Sequence, residues 1–119
     1  MNNMEQKVIN SAKRYFEFAG YEIVEEKFGP FDLIAKDESS YVFVLARYRV
    51  GFKNGFPKHA SLTAEKRSEY ELAMAKFFAV NADSIDIDVQ ARFDTIDLLF
   101  LSETNVLVKH HVNAFGVSQ

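Results

Sequence analysis

Cysteine and tryptophan are absent from this 119-residue sequence, and proline occurs only twice. Without cysteine there is no disulfide framework and no thiolate metal site, a composition that suits a reducing interior. No apolar run approaches the ~20 residues needed to cross a bilayer, so no membrane partner is expected. Met1 to Gln6 are polar and lack the apolar stretch and small-residue cleavage site of a secretory leader. A cytoplasmic protein is the expectation. Positive charge is also short: 14 Lys and Arg stand against 17 Asp and Glu, a net charge of −3, which argues against a strongly basic nucleic-acid binder. Ser-His-Asp order, a phosphate-cradling glycine loop and zinc-ligand spacing are all missing. No repeat, linker or low-complexity segment interrupts the chain, so residues 1–119 read as one domain.

What is present is apolar and aromatic. Hydrophobic residues make up 48% of the chain, with twelve Phe and five Tyr, enough for a packed core without staples. Asn2 as cap and Glu5 three residues on predict a helix to about Ala19, with Val8, Ala12, Tyr15, Phe16 and Ala19 on its apolar face and Gly20 as its stop. A short strand follows over about Tyr21 to Glu26. Gly29-Pro30 breaks the chain before a strand from Phe31 to Lys36, and the polar turn Asp37-Glu38-Ser39-Ser40 leads into a long strand from Tyr41 to Val50. The first half of that strand is apolar on both faces, as in a sheet centre covered on each side. Gly51 to Ala60 reads as a mobile loop. Thr63 caps a second helix, with apolar face Tyr70, Ala73, Met74 and Phe77, that ends near Asn81. Strands over Val89 to Leu101 and Val106 to Val112 complete the order αβββαββ. The class is α/β, a mixed sheet of about five strands flanked by helices.

The charges are segregated. Arg47, Arg49, Lys53 and Lys58, with His59, fall in a stretch that has no acid, whereas Asp83, Asp86, Asp88, Asp94 and Asp97 stand against Arg92 alone. Arg47 and Arg49 suit phosphate, which a guanidinium grips with a planar fork; salt bridges to the Asp residues are an equal alternative. The loop interleaves Phe52 and Phe56 with Lys53, Lys58 and His59, a pattern for single-stranded or branched nucleic acid, although packing of Phe at the domain edge is favoured. Lys66 and Arg67 would extend that surface. The aspartates lack the spacing of a calcium loop and read as a solvated acidic face. Arg92 and Asp94 lie on one side of their strand and are expected in an ion network around Asp32. His110, on the apolar side of the last strand, reads as a hydrogen-bonded core residue; His111 and His59 are expected to be exposed.

In order and spacing, nearly the whole chain resembles the YraN family, small bacterial proteins predicted to be endonuclease-like and distantly related to archaeal Holliday-junction resolvases. Tyr15-Phe16 with Gly20-Tyr21-Glu22-Ile23 is similar to the family's helix end and first strand. Gly29-Pro30-Phe31-Asp32-Leu33-Ile34-Ala35 resembles its Gly-Glu-Ile-Asp-Leu-Ile-Ala signature, and Val42-Phe43-Val44 with Tyr48-Arg49 the flanks of its Val-Glu-Val-Lys strand. Lys66, Arg92-Phe93-Asp94, and His110 with Asn113-Ala114-Phe115 match further family positions. The resemblance implies a restriction-endonuclease-like fold and a metal-dependent nuclease ancestry. In that site Asp32 is the carboxylate that carries over. The signature Glu is Pro30, the strand Glu and Lys are Leu45 and Arg47, and the acidic residue of the first helix falls at Ile9.

Those substitutions touch the chemistry directly, because such sites hold Mg²⁺ by carboxylate oxygens so that the ion activates water. Leu45 has no oxygen, and Arg47 stays protonated. An Asp32–Arg47 ion pair is therefore expected where the ion would sit, with no metal and no other cofactor. The leading reading is a catalytically degenerate nuclease-like domain that binds nucleic acid, branched or single-stranded DNA, through Arg47, Arg49, Lys53, Lys58 and Lys66. The alternatives are a protein-interaction or homodimerisation module that keeps only the fold, and a Mg²⁺-dependent endonuclease using a displaced carboxylate such as Glu65 or Glu69.

Overall fold

The computed structural model describes residues 3–51, 53, 55–57, 62–86 and 88–114. Helix α1 spans Asn3–Phe18 and precedes strands β1 (Glu22–Phe28), β2 (Phe31–Lys36) and β3 (Ser40–Val50). Helix α2 (Ala64–Val80) and a 3-10 turn (Ala82–Ser84) lead to β4 (Gln90–Phe100) and β5 (Val106–His111). The order is the expected αβββαββ. The five strands lie in the order β1-β2-β3-β4-β5. All pairs are antiparallel except β3 with β4, which run parallel in continuous register from Ser40↔Gln90 to Val50↔Phe100. A parallel pair cannot be joined by a tight turn, and α2 is the crossover that the geometry demands. Among the described residues no helix is long and apolar enough to cross a membrane.

Local sequence explains most of the boundaries. The expected cap Asn2 lies outside the described residues. α1 ends as Gly20 takes φ +98°, and the Gly20 and Tyr21 amides donate back to the carbonyls of Glu17 and Phe16. The buried face of α1 holds Val8, Ile9, Ala12 and Phe16; Ile9 joins it and Ala19, past the last turn, is exposed. Gly29-Pro30 is more than a break. With Phe28 paired to Phe31 and Gly29 at φ +56°, the dipeptide is a two-residue hairpin turn that only glycine enters without strain. The Asp37 carboxylate accepts from the Ser39 and Ser40 amides and makes the next turn. Thr63 caps α2 as expected, its hydroxyl accepting from the Lys66 amide at 3.1 Å.

β3 and β4 are buried on both sides, and strand alternation sorts their side chains into two cores. Toward α1, Val42, Val44, Ile96, Leu98 and Phe100 meet Val8, Ala12 and Phe16. Toward α2, Phe31, Tyr41, Phe43 and Phe93 meet Met74 and Phe77, while Tyr70 stacks on Phe93 with ring centroids 5.1 Å apart. Much of the aromatic content is used here. α2 covers the first half of β3, and past Leu45 that face carries polar side chains.

Candidate functional site

Asp32 is the second residue of β2, where the ladder to β3 has ended: the last pair is Leu33↔Val44, and the Ala46 amide donates to the Asp32 carboxylate at 2.8 Å. The carboxylate lines a cavity of about 170 Å³ together with Glu5, Val8 and Ile9 of α1 and Ala46 and Tyr48 of β3. Glu5 stands one helical turn before Ile9, so both reach the same cavity. Across the Gly29-Pro30 hairpin, Lys27 faces Asp32 between the pairs Glu26↔Leu33 and Phe28↔Phe31. Its ammonium lies 2.8 Å from Glu5 and 3.8 Å from Asp32. Burial pushes the Asp32 carboxyl up from its ordinary pKa, and the Ala46 amide and Lys27 offset only part of that rise. Lys27 is itself raised, chiefly by its hydrogen bond to Glu5. It also holds φ at +58°, a left-handed conformation that a non-glycine side chain adopts at a cost of about 1–2 kcal/mol.

The expected Asp32–Arg47 ion pair does not form. Leu45 packs into the α2-side core and Arg47 lies on that same face of β3, whereas the Asp32 cavity is reached from α1. Arg47 instead sits in register with Asp97 of β4, its Nε donating at 2.9 Å to a carboxylate that is only 1% exposed. His111 Nε2 donates to the other oxygen of Asp97 at 3.0 Å, so His111 is half-buried and engaged, contrary to expectation. The cation beside Asp32 is Lys27. Two carboxylates already bound to an ammonium fit a divalent ion poorly, since such an ion needs several free oxygens. Among the described residues no group of three His, Asp or Glu side chains is arranged to hold a metal. Glu65 and Glu69 are exposed on α2 and do not line the Asp32 cavity, so neither is the displaced carboxylate of that site.

The acidic stretch of the sequence divides. Asp86 and Asp88 are exposed, but Asp94 and Asp97 are buried on opposite faces of β4, which removes them from any solvated acidic face. Arg92 and Asp94 do form an ion network, centred on Asp94 and not on Asp32. Arg92 donates to both Asp94 oxygens at 2.8 and 2.9 Å and to the Tyr21 hydroxyl at 2.7 Å. His110 Nε2 donates to Asp94 at 2.6 Å, the Tyr15 hydroxyl lies 2.9 Å from His110 Nδ1, and the Asn113 amide completes the shell at 2.9 Å. Burial pushes the Asp94 carboxyl up, but His110, Arg92 and the Asn113 amide together outweigh it and hold the group below the ordinary carboxylate range. His110 is the hydrogen-bonded core residue expected.

Among the cations named from sequence, Arg49 and Lys53 are exposed without an ion pair among the described residues, and Lys66 makes a loose contact of 3.6 Å with Glu69. Lys58, Phe52 and His59 lie outside the described residues. Phe56 is half-buried with Lys109 Nζ 5.0 Å above its ring. Lys27 and Lys109 carry no signal in the sequence patterns above, where Glu5 figures only as a capping residue. Treating Gly29-Pro30 as a two-residue hairpin would have set Lys27 opposite Asp32, and helical spacing from Ile9 would have found Glu5.

The sequence profile of uncharacterised protein family UPF0102 matches residues 10–98. The chain belongs to the UPF0102 family. This is the YraN-like family that its motifs resemble. A UPF0102 protein of Geobacter sulfurreducens is 31% identical over 111 residues, covering 90% of this chain and 84% of the relative. UPF0102 proteins of Lachnoclostridium phytofermentans and Clostridioides difficile are 28% and 29% identical, covering 88% and 97% of this chain and 88% and 100% of theirs. The chain and these relatives cover most of each other's length, and the profile match runs from within α1 to Leu98 of β4.

Proposed function

We propose that this UPF0102 member is a nuclease-like domain that binds nucleic acid without cutting it. The observation that supports the loss of cleavage is the set of groups around Asp32. The strand position that would supply a second oxygen is Leu45, turned into the α2-side core, and the cation at the carboxylate is the protein's own Lys27. Metal-assisted phosphodiester cleavage needs an ion with open positions beside a water, and a lysine bound by Glu5 takes that place. Binding is supported by the resemblance of Gly29 to Ala35 to a nuclease-like signature and by exposed Arg49 and Lys53. The test is a pair of assays on duplex, single-stranded and four-way DNA. The expected outcome is binding that weakens steeply with salt and no cleavage with Mg²⁺. Salt-insensitive association or no association would remove the nucleic-acid reading and favour a protein-interaction module.

A second reading has one observation in its favour: Glu5 lines the same cavity as Asp32 and lies where the first helix of a nuclease can contribute an acid. On that reading Mg²⁺ displaces Lys27 and the domain is an endonuclease. Mg²⁺-dependent cleavage of the same DNA panel, abolished by Asp32→Ala and by Glu5→Ala, would establish it.

A further inference from the structure

Alternation along β3 places Leu45, Arg47 and Arg49 on the side of the sheet that faces α2. On β5 the same side carries Leu107, Lys109 and His111, because Val106 and Val108 pack into the α1-side core. The acid of this surface, Asp97, is withdrawn from solvent and its charge is met by Arg47 and His111. What remains in water is cationic. Arg49 and Lys109 are exposed on the strands, and Lys53 is exposed just past the end of β3. The neighbouring turns of α2 add no net positive charge, since Lys66 and Arg67 meet Glu69 and Glu71.

The Asp32 cavity on the other side carries the opposite sign. It holds two carboxylates against Lys27, while Glu26 of the adjoining strand is paired with Lys13 at 2.6 Å. A phosphate approaching that cleft meets net negative charge, which repels it over roughly a Debye length of 8–10 Å. From this we infer that the polynucleotide binds the α2-side surface of β3–β5, on the far side of the sheet from the inherited cleavage pocket, and that it binds as a single strand. The inference rests on the nucleic-acid reading above and assigns its surface. The single-strand assignment follows from the dimensions and from Phe56. Lys109 stands in register with Arg47 through Asp97, so Arg49 lies two strand spacings across and two residues along from it, about 12 Å, a width that suits one phosphate chain. Phe56 beneath Lys109 sets a ring beside a lysine, as in sites where a base stacks and the ammonium follows the backbone.

The experiment measures binding of a labelled single-stranded oligodeoxynucleotide, and of its duplex, by fluorescence anisotropy across a salt series. The full chain is compared with the Arg49→Gln/Lys109→Gln double variant and with Lys27→Gln in the Asp32 cleft. Loss of two single-strand phosphate contacts is expected to lower the salt slope by about 1.4 in the double variant, with Lys27→Gln unchanged. Both altered side chains of the double variant are exposed, and circular dichroism verifies its fold. An unchanged slope in the double variant, or loss of binding in Lys27→Gln, overturns the assigned surface while the nucleic-acid reading stands. Duplex bound as tightly as single strand through the same two residues overturns the single-strand assignment. Absence of salt-dependent binding by the unaltered chain overturns both the inference and the reading beneath it.

Discussion

Asp94 and Asp32 are both carboxylates held at strand positions, and their surroundings give them opposite roles. Asp94 is fully buried yet surrounded by donors from Arg92, His110 and Asn113. Removing its charge leaves the Arg92 guanidinium uncompensated in a half-buried site, a mechanism that costs about 3–5 kcal/mol. Asp94→Asn should therefore show a large fall in the urea midpoint. Because the folded pKa of Asp94 lies below its unfolded value, its stabilisation is present above the ordinary carboxylate range and is lost as pH falls through the folded value. The variant should lack that acid-limb contribution in a pH series of unfolding curves. Asp32 has the reverse sign: burial raises its folded pKa, so its ionised form opposes folding as pH rises through the window above the unfolded value. Asp32→Asn is expected to be neutral or slightly stabilising at neutral pH. A strongly destabilised Asp32→Asn would mean that the carboxylate is a structural anchor and not an inherited ligand.

At the scale of elements, α2 is held by its cap and by the apolar face on which Phe77 is the most deeply buried side chain. Thr63 meets an amide that has no partner within the helix, and Thr63→Ala should cost about 1 kcal/mol. Phe77 is 2% exposed against Phe43, Phe28 and Tyr41, and Phe77→Ala should cost about 3–5 kcal/mol. Denaturant titrations of the two variants check the ranking; a cap that outweighs the aromatic would place the stability of α2 in its start and not in its packing. α1 is secured differently. Its apolar face is supplemented by the Tyr15–His110 contact, which ties the helix to β5 through the Asp94 network.

For the whole molecule, β4 joins the two cores. Phe93 belongs to the α2 side, and Ile96, Leu98 and Phe100 to the α1 side. Neither core keeps its shape once β4 leaves the sheet. A single cooperative transition is expected, with far-ultraviolet dichroism and tyrosine fluorescence following one curve. Two separated transitions would show that the α1 and α2 layers unfold independently. Charge is also a property at this scale. The net value of −3 conceals an acidic β1 edge and a cationic surface on β3 and β5, so partners approach the two edges of the sheet under different fields.

Elements and their order were legible in the residues because hydrophobic spacing, the Thr63 cap and the stop at Gly20 act over one or two turns of chain. The buried state of His110 was legible too, since its strand alternates with Val106 and Val108. The pairing of charges was not. Asp32 and Arg47 are each read correctly as to strand, yet they end on different sides of β3. Which acid meets Arg47 depends on the parallel register with β4, fifty residues away. The same register, together with β5, takes Asp94 and Asp97 out of water, though by sequence alone they belong with exposed Asp86 and Asp88. Local spacing determines what a segment becomes. Electrostatic partnership depends on distances of a few ångströms between segments, and those exist only after the sheet has assembled.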